Sequence, residues 1–379
     1  MKQILIATLF LSACKVFSQN ISPDEIIQEA DLLINNYQFG QALSLLNTSV
    51  DSMNISLLQR KGFCYSRLGN YSDAIIAYES IRETDSLNRD DLNQLGQLYS
   101  RNDQYGEARV CYQKLIDLDS TNSFYYKQYA SVSVKANDII KGIANYLQTV
   151  KLNPRDFEAY AELGNILLEA ELYQFADSIL TRALDTAENS QLRLLLARAK
   201  FGEEEYEAVI ENVEQLLIKS DTTPTYARLL GISYFQLDQY KKVIPCMQLL
   251  LRNGVKADWI FYYLGVSFHQ LNDPKQGIIF LNNAIEESIS DNISTYYTQL
   301  AMTYEEIKDY KNAIRYYRVA YESSKSDILL YHLARNYDVY YKDKTPALIY
   351  YKKYLNSDDT IQIAKEYSRH RLSVLSDFR

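Results

Sequence analysis

Residues 92–116 read LNQLGQLYSRNDQYGEARVCYQKLI, and this stretch decides the fold class. Its apolar residues recur every three or four positions in two runs of about a dozen residues, which predicts two amphipathic helices. Each run carries one small residue, Gly96 in the first and Ala108 twelve positions later in the second. Small residues at matched positions let two helix backbones approach closely. The stretch therefore predicts a packed helix pair.

The same pattern recurs along the chain, with a small or short side chain at equivalent places in the second helix. From one copy to the next, this small or short residue recurs after 33 to 36 residues, and in most cases after 34. In seven of the ten copies a tyrosine stands three positions earlier. A fixed period of this length over some 300 residues indicates a tandem array of helix pairs. The members are Gly40, Ala74, Ala108, Gly142, Ala176, Val209, Val243, Gly277, Ala313 and Ala347.

The repeat unit resembles the tetratricopeptide repeat (TPR), and LLQRKGFCYSRLGNYSDAIIAYESI (57–81) and FYYLGVSFHQLNDPKQGIIFLNNAI (261–285) carry the resemblance best. It implies an all-α fold, an α-solenoid in which about ten antiparallel helix pairs form a right-handed superhelix. The array would span 21–361, and a C-terminal capping helix would follow at 362–379. The first repeat lacks the usual glycine and tyrosine of its first helix, and the tenth has Lys344 where tyrosine is usual. The ten repeats are 21–54, 55–88, 89–122, 123–156, 157–189, 190–223, 224–257, 258–293, 294–327 and 328–361.

Composition supports a helical chain and excludes some classes of partner. Only 12 of the 379 residues are glycine and 6 are proline, too few for a loop-rich β-fold. Most of the 34 tyrosines fall at the large-residue positions of the repeat, where they are predicted to fill space beside the small residues of the helix pairs. The net charge of -8 argues against non-specific binding to nucleic acid or to anionic lipid.

The first 18 residues are predicted to be a signal peptide, with a positive start and an apolar run of roughly ten residues. Two processing sites are open. Leu11–Cys14 resembles a lipobox, which would make Cys14 a lipid-bearing N-terminus. Cleavage after Ser18 is favoured, because Cys14 lies early and Lys15 follows it directly. Either way we expect export to the periplasm or the outer membrane, with no membrane contact except the alternative lipid anchor.

Cysteine and histidine usage predicts neither a disulfide framework nor a metal site. Three cysteines remain after Cys14, and they are predicted to be buried thiols; a Cys64–Cys111 bridge is the alternative. The three histidines lie in separate parts of the chain, with no H-E-x-x-H spacing and no glycine-rich phosphate loop. Acidic pairs such as Glu286-Glu287 are interpreted as solvated helix faces. We therefore expect a non-enzyme without cofactor or metal.

The resemblance implies that positions 2, 5, 9 and 12 of each repeat line a concave groove. In repeat three these positions are all polar: Asp90, Asn93, Gln97 and Ser100. In repeats six to eight they include a series of apolar side chains and the only tryptophan. Aromatic anchors in a concave setting are typical of peptide-binding hot spots. The predicted partner-binding residues are Phe201, Phe235, Trp259, Tyr262, Val266 and His269.

Two alternatives to this groove hypothesis stay open. The superhelix could bury several of these side chains between repeats, which is favoured for Ile232 and Val266 and undecided for Trp259 and Tyr262. A carboxylate clamp of the TPR type would need lysine and asparagine at successive groove positions, and Lys127 and Asn165 do not form that set.

The sequence thus predicts a non-enzymatic scaffold of the bacterial cell envelope that binds a partner peptide or helix in its groove. No nucleic-acid partner is expected. The alternative function is a substrate-capturing accessory subunit of an envelope enzyme or transport system.

Overall fold

The computed structural model describes residues 22–49, 51, 53–84, 88–218, 223–288 and 292–376. The predicted signal peptide and Cys14 lie outside this part of the chain. None of the described helices is long and apolar enough to cross a membrane.

The described residues form 21 α-helices and no β-strand, which confirms the all-α fold class. The first twenty alternate as a first and a second helix of a pair, called helix A and helix B below. In order they are α1 Pro23–Asn35, α2 Phe39–Leu46, α3 Ile55–Arg67, α4 Tyr71–Thr84, α5 Arg89–Arg101, α6 Tyr105–Leu118, α7 Ser123–Lys135, α8 Ile139–Leu152, α9 Phe157–Glu169, α10 Tyr173–Leu184, α11 Ser190–Gly202, α12 Tyr206–Leu217, α13 Pro224–Gln236, α14 Tyr240–Arg252, α15 Asp258–Gln270, α16 Pro274–Glu287, α17 Ile293–Glu306, α18 Tyr310–Ser324, α19 Ile328–Tyr340, α20 Thr345–Leu355 and α21 Gln362–Ser376.

Helix starts follow a regular period in the middle of the chain. Successive A helices begin at residues 89, 123, 157, 190, 224 and 258, which are 33 or 34 apart. Side-chain caps help to define these starts: the Asn88 side chain accepts the backbone N–H of Asp91, and Thr223 does the same for Tyr226. The division of the whole array into ten repeats, ending in a cap, stays a prediction.

The helices belong to two compact units, Met1–Ala170 with Arg182–Ala187, and Glu171–Thr181 with Glu188–Arg379. In the first unit, Leu95 and Leu115 lie at the centre of the hydrophobic core. In the second, Val213, Met247 and Leu264 are fully buried between successive helix pairs. Because one helix pair cannot cover its own apolar faces, each core is built from neighbouring pairs.

Close approach of helix A to helix B explains the small residues of the pattern. A Cβ atom at Gly62 would lie 2.5 Å from the ring of Tyr78, and one at Gly96 would lie 3.0 Å from the ring of Tyr112. The tyrosine of helix B thus fills the space that the glycine of helix A leaves. The fully buried tyrosines confirm that this residue type serves core packing, and they include Tyr112, Tyr160, Tyr317, Tyr351 and Tyr354.

The turn from helix A to helix B passes through left-handed backbone in nine of the pairs. Gly69 has φ 79°, and eight further residues have φ between 56° and 62°. This geometry lets the next backbone N–H bond back into helix A, as Gln239 N does to the Tyr234 carbonyl at 2.8 Å. The eight are Tyr37, Asp103, Asn137, Glu171, Glu204, Asp238, Asn272 and Lys308.

No disulfide joins the three cysteines in the described part of the chain. Cys64 and Cys111 are buried, as predicted for core thiols, and the alternative Cys64–Cys111 bridge is not formed. Cys246 is only half-buried. Burial raises the pKa of the Cys64 and Cys246 thiols to about 11, so both stay protonated and weakly nucleophilic at neutral pH.

The last helix, α21, packs its inner face on the preceding pair. Leu375 lies in a cluster with Tyr351, and Ala364 lies in one with Tyr354. The outer face of α21 is not uniformly polar. Ile363 lies on it with 80% of its surface exposed.

Candidate functional site

The predicted groove residues of repeats seven and eight lie within one group of rings in the second compact unit. We call this group the aromatic cluster and define it as Phe235, Trp259, Tyr262, Tyr263 and Tyr296. Its members come from three successive A helices, α13, α15 and α17. Helix A is the element whose face the TPR resemblance assigns to the groove.

Trp259 is positioned by the first turn of α15. The Asp258 carboxylate accepts the backbone N–H of Trp259 at 2.8 Å through Oδ1. Its Oδ2 accepts the Tyr296 hydroxyl at 3.0 Å. Asp258 therefore ties the start of α15 to the following A helix. Tyr262 follows Trp259 by three residues and lies on the same helix face.

The ring distances show a continuous set of aromatic contacts. Ring centroids of Phe235 and Tyr263 are 4.5 Å apart, and those of Trp259 and Tyr263 are 5.9 Å apart. Tyr262 lies 6.3 Å from Phe235 and 5.1 Å from Tyr296. All four distances fall within the range in which aromatic pairs attract one another. The cluster therefore holds its side chains in fixed positions before any partner arrives.

Phe235, Trp259 and Tyr262 are half-buried. They pack partly on the core of the second unit and keep part of their surface accessible. Burial raises the pKa of Tyr262 and of Tyr263, which shows that water is already scarce around both hydroxyls. The groove hypothesis expects these rings to be exposed, and the alternative expects them to be buried between repeats. The three rings are intermediate between the two. They are rings anchored on one side and open on the other.

Val266 corrects the predicted surface. It is only 6% exposed, so it offers a partner almost no surface. Val266 lies between Tyr262 and His269 on one face of α15, and its short side chain does not reach beyond these two longer ones. The burial favoured for Ile232 is partial, because that side chain is half-buried.

The remaining two predicted residues are held by other contacts. Phe201 lies one repeat earlier, and its ring meets Tyr206 edge-on at 6.0 Å. His269 has a side chain that is 11% exposed, with Nε2 3.0 Å from the Glu306 Oε2 atom. The second nitrogen of His269, Nδ1, is buried without a hydrogen-bond partner among the described residues.

Sequence analysis missed three members of the site. Tyr263 and Tyr296 lie outside positions 2, 5, 9 and 12 of their repeats, so the groove rule did not select them. Arg228 occupies position 5 of repeat seven, but the hypothesis considered only apolar residues there. Its guanidinium carbon lies 5.5 Å from the centroid of the Trp259 ring, a cation–π contact.

The polar groove positions of repeat three form a different environment, within the first compact unit. Asp90 is exposed, and the side-chain oxygen of Asn93 is buried without a hydrogen-bond partner among the described residues. Lys127 of the following repeat pairs with Asp156 at 3.0 Å and with Glu158 at 2.9 Å. The ammonium of Lys127 is thus already neutralised, which agrees with setting aside a carboxylate clamp here.

Two open cavities of the second compact unit carry charges that are already paired. One, of about 570 Å³, is lined in part by Lys344 and Arg371, and both contact Asp338. The other, of about 480 Å³, is lined in part by Glu203 and Glu205, and both contact Lys200. Across the described residues, no group of three or more histidine, cysteine, aspartate or glutamate side chains is arranged to hold a metal ion.

The family model for the tetratricopeptide repeat matches residues 92–122 and 294–327. The chain contains tetratricopeptide repeats. The first match includes most of the stretch from which the helix pair was predicted, and the second covers α17 and α18. Proteins built from TPR repeats are generally non-catalytic and bind protein partners.

Several solved structures are similar to this TPR chain at low identity. A tetratricopeptide repeat protein from Parabacteroides merdae is 15% identical, over 66% of this chain and 98% of that one, with a TM-score of 0.44. The C-terminal part of a TPR repeat-containing protein from Cytophaga hutchinsonii is 18% identical, over 71% and 98%, with a TM-score of 0.45. The structure of Naa15/Naa10 bound to HypK-THB is 12% identical, over 91% and 65%, with a TM-score of 0.47.

Similarity at this level says nothing about what this TPR chain binds. No curated protein matches the chain in sequence.

Proposed function

We propose that this chain is a non-enzymatic interaction scaffold that binds a partner peptide or helix on the aromatic cluster. The observation that carries the proposal is the state of Phe235, Trp259 and Tyr262. The three rings contact neighbouring rings on one side and leave part of their surface open on the face assigned to the groove. Phe201 and His269 would form the edges of this surface.

Pre-formed aromatic anchors favour binding for two reasons. Trp and Tyr bring a large contact area with few rotatable bonds, so little conformational entropy is lost when a partner covers them. Side chains that are already fixed by ring contacts lose still less. Alanine scans of interfaces find that a few such residues account for most of the binding free energy.

The test is a binding measurement with a partner isolated from the native host. Trp259→Ala should cost about 2 kcal/mol of binding free energy if Trp259 is a hot spot, and this corresponds to a roughly thirtyfold weaker Kd. Isothermal titration calorimetry gives that ratio directly. Circular dichroism of the variant should show unchanged helix content.

Two control variants separate the surface from general damage. Phe175→Ala removes an aromatic side chain that is 40% exposed on helix B of repeat five, outside the groove positions, and should leave the Kd unchanged. Asp90→Ala changes one of the polar groove positions of repeat three and should also leave the Kd unchanged. Equal affinity of the Trp259→Ala variant and the wild type, both folded, would remove the aromatic cluster from consideration. Unfolding of that variant would show that Trp259 serves the core.

The proposal places this scaffold at the bacterial cell envelope, and residues 1–18 support that location. The intact mass of protein recovered from native cells tests it. A mature N-terminus at Gln19 would indicate soluble export, and a lipid adduct on Cys14 would indicate anchoring. A chain that retains Met1 would contradict both.

A further inference from the structure

The groove positions of repeats six to eight have a charge pattern opposite to that of the whole chain. The protein has 48 acidic and 40 basic residues, a net charge of -8. Yet the twelve positions contain two arginines, one histidine and no carboxylate. They are Gln191, Leu194, Arg198, Phe201, Thr225, Arg228, Ile232, Phe235, Trp259, Tyr262, Val266 and His269.

Arg198 and Arg228 are the two arginines at these groove positions. Both are exposed, and neither guanidinium forms an ion pair or a hydrogen bond within the described part of the chain. By contrast, Arg193, Arg335 and Arg371 each contact a carboxylate. In a chain rich in acids, two cations without an acidic neighbour on one face are charges left open to a partner.

Two carboxylates that contact the aromatic cluster or His269 already have partners. Asp258 accepts the Trp259 backbone N–H and the Tyr296 hydroxyl. Glu306 contacts His269. Neither is therefore a free counter-ion for Arg228, whose guanidinium carbon lies 5.5 Å from the centroid of the Trp259 ring.

We propose that the occupant of this face is an acidic peptide segment in which an Asp or Glu stands next to an apolar side chain. The proposal rests on the proposed function and names the chemistry of its partner. The carboxylate would pair with Arg228, and the neighbouring apolar side chain would pack on Trp259 and Phe235. Arg198, one repeat earlier, would take a second carboxylate of the same segment.

The contact between Arg228 and Trp259 favours this pairing. A guanidinium that lies over an aromatic ring keeps its N–H groups directed outward in its own plane, where a carboxylate can accept two of them. The ring also shields one side of that ion pair from water, which strengthens it. At physiological salt the screening length is about 8 Å, so the net negative charge elsewhere on the protein repels an acidic segment only weakly.

The experiment selects from a random 16-residue peptide library displayed on phage, with the full chain as bait at about 0.15 M salt. We expect enriched peptides to combine Asp or Glu with aromatic or aliphatic residues. A synthetic copy of the most enriched peptide is then titrated, with the fluorescence of Trp259, the only tryptophan, as the signal.

Arg228→Gln should weaken binding of that peptide roughly three- to tenfold, as for a partly exposed ion pair. Replacing the acidic residues of the peptide by glutamine should cost the same factor, and both changes together should cost little more than either alone. Arg252→Gln is the matched control, because Arg252 is exposed on helix B of repeat seven and forms no ion pair among the described residues.

The outcomes separate this inference from the proposed function. Enrichment of neutral or basic peptides, or an unchanged Kd for Arg228→Gln, would overturn the acidic partner and leave the aromatic surface standing. Acidic peptides that bind the Trp259→Ala variant as tightly as the wild type, measured by calorimetry, would overturn the surface itself. A selection that enriches nothing would count against both.

Discussion

At the scale of single residues, Asp91 is a buried carboxylate that the fold tolerates at a cost. It is 5% exposed, and Gln59 Nε2 donates to both of its oxygens at 3.0 Å. Burial raises the pKa of Asp91 in the folded protein, although the Gln59 hydrogen bonds oppose this. A raised pKa means that the folded protein favours the protonated form of Asp91 more than the unfolded chain does. The contribution of Asp91 to the free energy of unfolding is therefore greatest below the unfolded pKa of 3.8. It declines as pH rises through the pKa of Asp91 in the folded protein.

Asp91→Asn should therefore stabilise the protein at pH 7 and reduce the decline in stability as pH rises above the unfolded pKa of 3.8. Asparagine keeps an oxygen that can accept from Gln59 and has no charge to desolvate. Urea unfolding at several pH values measures the free energy of unfolding. The neighbouring, exposed Asp90→Asn is the control and should change the profile little. A variant less stable than the wild type at pH 7 would show that the carboxylate charge is needed.

Gly62 offers a second test at the same scale. A Cβ there would approach the ring of the buried Tyr78 to 2.5 Å, so Gly62→Ala should destabilise by about 1–3 kcal/mol despite the better helix propensity of alanine. Gly40, in helix B of the first repeat, has no atom within 4 Å of a Cβ, so Gly40→Ala should stabilise by roughly 0.5–1 kcal/mol. Thermal unfolding compares the two. Equal effects would mean that the helix pair opens without strain.

Within a repeat, the sequence predicts the size of paired side chains better than it predicts their exposure. The pairing of a small residue on helix A with a larger one on helix B was predictable, because it recurs with the period. The larger residue is not always tyrosine: Met247 lies opposite Gly231, and Leu281 lies opposite Gly265. The partial exposure of Trp259 was undecided, and the burial of Val266 was favoured only as the alternative to its place on the binding surface. Both depend on how far neighbouring side chains extend, and the repeat pattern carries no information on that.

At the scale of the helix pair, the turn between helices has one residue in the left-handed region. Lys308 has φ 62°, is exposed, and forms no side-chain contact in the described structure. A side chain in this region costs about 1 kcal/mol that glycine avoids. Lys308→Gly should therefore stabilise the protein or leave it unchanged.

The matched control is Lys311→Gly, three residues later in the first turn of α18. The lysine is exposed there too, but the backbone is helical, so glycine should destabilise by up to about 1 kcal/mol. Chemical denaturation compares the pair, in which the same charge is lost. Destabilisation of similar size at both positions would show that the turn does not strain its residue.

This turn was not predictable from composition. Glycine occupies it only at Gly69, and elsewhere the residue is tyrosine, glutamate, aspartate, asparagine or lysine. Packing of the two helices imposes the conformation on whichever residue stands there. The helices themselves were predictable because their apolar period repeats ten times, and the same redundancy is absent at the turns.

At the scale of the whole molecule, a repeat array should respond locally to a local change, because each pair contacts mainly its neighbours. Asp338 in α19 tests this. It is 6% exposed, and Arg371 of α21 donates to both of its oxygens, at 2.8 and 3.1 Å. Without Arg371, the buried charge of Asp338 keeps the longer contact to Lys344, whose Nζ lies 3.6 Å from its Oδ1. A buried charge that loses its better partner is poorly compensated, which is usually the larger part of the loss.

Arg371→Met should therefore raise amide hydrogen exchange by roughly tenfold or more in α19, α20 and α21 and leave α11 and α12 of the same compact unit unchanged. Arg369→Met is the control, because Arg369 is exposed on the same helix and forms no ion pair among the described residues. Asp338→Asn, added to Arg371→Met, should restore much of the protection by removing the stranded charge. Faster exchange spread evenly from α11 to α21 would contradict local response, since it would require these helices to open as one cooperative element. The nearest-neighbour description would then fail for the second compact unit.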